Sequence, residues 1–193
     1  MGLVVSSLSH VPLNADRDYF IYLLHGGWDS ALDRVLESHF MRFAQEASET
    51  RSAIIAGLPG NHFANDVFSW HHINGEAGEE ALPAILLTTV HPKHFQHEGD
   101  PFWGTKAPKD YMQLIPLKKW ANSADDVITL VQRIFSDIKE HKELRDFTVV
   151  KEIRRTRGTA FMDGVVLQPN FLGCGIDLKK IVQAVRGKGT AKT

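Results

Sequence analysis

A chain of 193 residues, 43% hydrophobic and 23% charged, can enclose one ordinary core and is too short for two full ones. Its formal charge of -1 offers no global attraction to nucleic acid or to acidic membranes. The single cysteine, Cys174, excludes an internal disulfide and any Cys-x-x-Cys motif and points to a reducing, cytoplasmic setting, and no apolar run approaches the length of a membrane span, about 20 residues.

Residues 1–17 read as an arm or short edge strand, because Leu3 to Val5 is apolar but Pro12 and Asn14 interrupt any continuation. Tyr19 to Leu24 is a short apolar, aromatic and β-branched run, the pattern of a central strand, and Gly26-Gly27 closes it. Leu32, Val35, Leu36, Phe40, Phe43 and Ala47 then share one face of a predicted long helix, with Asp33, Arg34, Glu37, Arg42 and Glu46 on its water face. Ser30 can cap that helix, and Ser30 with Asp33 imitates a capping box with the shorter acid. A second buried strand, Ala53 to Leu58, ends at Pro59-Gly60. Asn61 can cap a shorter helix in which Phe63, Val67 and Trp70 share a face.

Leu82-Pro83 introduces a third strand, Ala84 to Val90, since proline is tolerated where a strand begins. The stretch from His91 to Lys109 has neither helical nor strand periodicity, and a loop of that length in a compact domain is often functional. Tyr111 to Leu117 reads as a fourth strand, with Pro116 suggesting an edge. Ser123 and Asp126 open a helix with Val127, Leu130, Val131, Ile134 and Ile138 inward. Beyond it, Phe147 to Ile153 and Ala160 to Leu167 read as a hairpin around a basic turn, and Asp177 can cap a last short helix. The domain reading is therefore an arm at 1–17, an α/β core at 18–146, a C-terminal β-hairpin/helix extension at 147–186 packed on the core, and a tail at 187–193.

The order strand, helix, strand, helix, strand, strand, helix between Tyr19 and Lys139 resembles the thioredoxin-like fold, a mixed sheet flanked by helices. In that family the active-site motif stands where HGGWDS stands here, and a cis-proline at the start of the third core strand faces it, as Pro83 does. The motif here lacks cysteine, so the resemblance implies binding functions and not dithiol chemistry. The competing architecture is a doubly wound, all-parallel α/β domain, whose ligands sit at the carboxyl ends of the strands.

If the first two strands are parallel, their turns emerge at one end of the sheet. That gathers His25, Gly26, Gly27, Trp28 and Ser30 with Asn61 and His62, each turn opening a helix N-terminus where backbone N–H groups can hold an anion and a histidine can move a proton. Such glycines and asparagines are also simply what strand-to-helix turns require. His91, His94 and His97, at every third position, can meet around a zinc ion if the segment turns, although Pro92 bars a regular helix and a solvated loop is the default. Ser69-Trp70-His71-His72 and the basic run Lys151, Arg154, Arg155 and Arg157 read as surface and packing residues. Trp103 in the long loop is the kind of aromatic that serves an interface.

The resulting expectation is a non-redox binding or adaptor module without a bound metal. It holds a protein segment or a small anionic ligand with Gly26, Gly27, Trp28, Ser30, Asn61, Pro83 and Trp103. The alternative is a hydrolase or transferase acting on a phosphate or acyl group, with His25 or His62 as general acid or base.

Overall fold

The computed structural model describes residues 1–26, 30–59, 62–71, 81–95 and 111–156, the side chains of 153–156 excepted. Five strands, β1 (Gly2–Val5), β2 (Tyr19–Leu24), β3 (Ser52–Gly57), β4 (Ala84–Thr88) and β5 (Met112–Pro116), form one sheet in the order β1-β3-β2-β4-β5. β1 and β2 run parallel to β3, whereas β4 is antiparallel to both β2 and β5. The protein is thus a mixed α/β structure, and the two antiparallel pairings overturn an all-parallel core. The chain therefore reverses direction between β4 and β5.

Strand residues alternate between two apolar clusters, as the period of two demands. Ile21, Leu23, Ile54, Ile85, Leu87 and Ile115 face one side. There they meet α1 (Ala31–Ser38), α2 (Phe40–Glu49), α4 (Ala124–Lys139) and α5 (Thr148–Thr156). Phe20, Tyr22, Leu24, Ile55, Leu86 and Leu114 face the other, under α3 (Phe63–Trp70), Leu8 and Val11 of the arm, and Phe95. With both faces covered, all six residues of β2 are buried. No described helix is long and apolar enough to cross a membrane.

Two expected elements differ. The long helix is two, because the backbone leaves helical geometry at His39 (φ -101°, ψ 4°), which ends α1 and begins α2. The break re-aims the apolar stripe so that Val35 and Leu36 from one helix and Phe43 and Ala47 from the next enter the same core. The expected strand from Phe147 to Ile153 is instead α5. Its first turn is fixed by a buried carboxylate of α4: Asp137 accepts the Thr148 N–H at 2.6 Å and the Thr148 hydroxyl at 2.9 Å. A helix start satisfied in this way outweighs the strand preference of Thr148, Val149 and Val150. The second expected strand of that hairpin, and the helix after Asp177, lie outside the described residues.

Candidate functional site

β2 ends at Leu24 and delivers His25 and Gly26, both half-buried, to the end of the sheet where α1 begins. Ser30 caps α1, its Oγ accepting the Asp33 N–H at 3.1 Å, as the spacing predicts. Asp33 departs from its expected place on the water face. Its side chain is 10% exposed and turns back into the turn, where Oδ1 accepts the Gly26 N–H at 2.9 Å and Oδ2 accepts the Ser30 hydroxyl at 2.8 Å. His25 Nδ1 stands 3.5 Å from Asp33 Oδ1, at the outer limit of a hydrogen bond.

Burial alone would raise the Asp33 pKa. The His25 side chain, the Gly26 N–H and the Ser30 hydroxyl together outweigh burial and hold the carboxyl below its ordinary value. The negative charge expected at this helix N-terminus is therefore present, and it belongs to the chain itself. The Gly26 N–H and the Ser30 hydroxyl, both candidates for an external anion, are already directed at Asp33. Because the Ser30 proton points at the carboxylate and not at His25, the three residues do not form a Ser-His-Asp relay, while the carboxylate can still orient the imidazole.

Pro83 is buried at the start of β4, and the Leu82–Pro83 peptide is cis. Its carbonyl accepts the Leu117 N–H at 2.8 Å. A Cβ on Gly26 would lie 3.6 Å from Pro83 N and 3.7 Å from the Leu82 carbonyl carbon, so a side chain there would meet the β4 entrance in van der Waals contact. The parallel pairing of β2 and β3 puts His62, the exposed N-cap residue of α3, at the same end of the sheet. Among the described residues no hydrogen bond, ion pair or ring contact joins it to His25 or Asp33. Gly27, Trp28, Asn61 and Trp103 lie outside the described residues.

The histidine run is only partly described, His97 lying outside. Lys93 N–H donates to His91 Nδ1 at 3.0 Å, so Nε2 carries the proton and donates to the Pro12 carbonyl at 3.1 Å. With both nitrogens occupied, His91 has no lone pair to offer zinc, and the described residues contain no group of three potential ligands. His71 is wholly buried, its ring 4.3 Å from that of Phe95 and 5.2 Å from that of Tyr22. Within the Ser69–His72 run it is thus a packing residue of the core. In the basic run, Lys151 pairs with Asp146 at 3.0 Å, and the side chains of Arg154, Arg155 and Arg157 lie outside the described residues.

Asp33 is the site residue that helical spacing misplaces. The signal that points to it is local: an acid three residues after a capping serine and seven after a glycine turn, within reach of both. Comparison of the chain with protein-family models, with curated proteins and with solved structures finds no match.

Proposed function

We propose that the chain is a non-redox binding module of thioredoxin-like type that holds an extended protein segment where the His25-Gly26 turn meets Pro83. The observation that carries this reading is the direct apposition of Gly26 and the Leu82–Pro83 backbone, 3.6 Å from a Gly26 Cβ position to Pro83 N. It is supported by the strand order and the antiparallel β4 and β5, which fit the element order of that fold. A cis-proline at the entrance to β4 matches the family's own. A protein segment is favoured over a small anion at this place because Asp33 already takes the Gly26 N–H and the Ser30 hydroxyl.

Panning a displayed peptide library against the protein tests the reading. Peptides enriched on the wild type should be lost on Gly26→Phe, whose ring would occupy the junction, weakened by Trp103→Ala, and retained by His25→Ala and His62→Ala. An absence of enriched sequences, or equal binding to Gly26→Phe, would refute it.

The arrangement of His25 against a fixed carboxylate favours a second reading, an acyl or phosphoryl hydrolase with His25 as general acid or base. In that case turnover of an activated ester or phosphate ester collapses with His25→Ala and shows a pH profile that Asp33→Asn displaces. Turnover indifferent to both substitutions removes this reading.

A further inference from the structure

At the opposite end of β2 from His25 lies a cavity of about 570 Å3, between the arm before β2 and the turn after β4. The two ends are separated by the length of the strand, about 20 Å at 3.3 Å per residue. The cavity volume falls within the about 300–1,000 Å3 of small-molecule sites.

The lining carries Arg17, Lys93, His91 and His94 against a single acid, Asp16. Arg17 lines the cavity, and its buried Nε finds no hydrogen-bond acceptor among the described residues. The aspartates on either side of it in sequence are both engaged elsewhere: Arg51 binds Asp16 at 3.0 Å and Asp18 at 3.2 Å. Lys93 is exposed and has no carboxylate partner among the described residues. Among those residues its ammonium reaches only the Leu13 carbonyl, at 3.5 Å. His94 adds a third nitrogen-bearing side chain. Between them, His91 is a neutral strut, its ring joining Lys93 N–H to the Pro12 carbonyl and standing edge-on to Phe20 at 5.0 Å. Its pKa is depressed first by burial and then, against the Pro12 hydrogen bond, by the charges of Lys93 and His94, as expected beside a positive cavity.

We propose that this cavity binds a phosphorylated small molecule of nucleotide size, with Arg17 and Lys93 receiving the phosphate. A guanidinium supplies directed donors to phosphate oxygens and an ammonium supplies a mobile point charge. The cavity is larger than a bare phosphate needs, and Leu13 and Val90 add apolar side chains to a mainly polar lining, room for an organic group beside the phosphate. A concave pocket on a chain of net charge -1 suits a small ligand better than a nucleic-acid strand, which needs an extended basic track.

Calorimetric titration of the full chain with adenosine monophosphate, pyrophosphate and inorganic phosphate tests the site. The expected result is saturable binding of adenosine monophosphate, tighter than that of inorganic phosphate. Lys93→Gln and Arg17→Gln should each weaken it at least about tenfold, and it should be unchanged in Arg42→Gln, a basic residue on the exposed side of α2. Because Lys93 is exposed, its substitution carries the test should Arg17→Gln lower the melting temperature. Saturable binding of pyrophosphate alone would overturn the organic-ligand reading. Absence of saturable binding, or binding equal in Lys93→Gln and wild type, would overturn the site.

Discussion

Asp33 carries a charge into a place where 10% of its side chain meets water, and the donors around it decide the consequence. A carboxyl whose folded pKa is depressed contributes stability that is present above its unfolded value and lost as pH falls through the folded one. Asp33→Asn is therefore expected to reduce stability at neutral pH by about 1–3 kcal/mol. The gap to wild type should close below about pH 4. Denaturant melts of both proteins across that range check it; a gap that persists unchanged in acid would contradict the assignment. Tyr22 is the opposite case, fully buried, with a hydroxyl that has no hydrogen-bond partner among the described residues and a pKa that burial pushes up. Tyr22→Phe should be neutral or stabilising by up to about 1 kcal/mol, since it removes an unsatisfied polar atom and keeps the ring. A clear fall in melting temperature would mean that the hydroxyl has a partner. At this scale the sequence is legible where a residue's role is local, as with the Ser30 cap, and misleading where a helical wheel ignores the helix end. Asp33 shares the polar face with Arg34 and Glu37 by angle, but its position in the first turn lets it reach back to Gly26.

Elements are legible where apolar periodicity and end signals agree. Ser123 and Asp126 form the full reciprocal capping box of α4, and Val127, Leu130, Val131, Ile134 and Ile138 are all buried. That α5 reads as a strand has a tertiary cause, because nothing within Thr148 to Ile153 announces that Asp137, eleven residues earlier, will receive the first N–H. That carboxylate also accepts from Lys142 Nζ at 2.7 Å, so it joins the end of α4, the connecting turn and the start of α5. Asp137→Ala is expected to cost about 2–3 kcal/mol, with fraying concentrated in α5. Helical content and amide exchange over residues 148–156 measure this, and unaltered protection there would refute it. At the other face, Gly57 ends β3 where the Phe63 side chain fills the space a Cβ would need, the ring carbon Cγ lying 2.7 Å from it. Gly57→Ala must move α3 or bend the strand. A loss of about 1–3 kcal/mol is the expected result of that overpacking, and an unchanged melting temperature would show that α3 yields freely.

For the whole molecule, the organising fact is a sheet covered on both faces, with β2 between β3 and β4 and the edges held by β1 and β5. This much is legible in the sequence, because short apolar runs alternating with amphipathic helices admit few arrangements, and two consecutive strands with no helical pattern in the stretch between them argue for an antiparallel pair. The two candidate sites are less so. Arg17 and Lys93 are far apart in sequence and belong to no motif, and they share a cavity only because antiparallel pairing sets Phe20 beside Thr88. The same topology orders stability across the sheet. Exposing the amides of β2 requires the loss of pairing on both sides and of apolar cover on both faces, whereas β1 is held by pairing to β3 alone and by packing on α2, where Ala44 occupies the place of a Gly2 Cβ. Native-state hydrogen exchange should therefore find Ile21, Tyr22 and Leu23 among the slowest amides, opening only with global unfolding, and those of β1 at least about tenfold faster through local opening. Raising the denaturant concentration should accelerate β2 steeply and β1 weakly, because the global event exposes far more surface. Equal rates and equal denaturant dependence in the two strands would show that the edge and the centre open as one unit, and would assign β1 to the cooperative core.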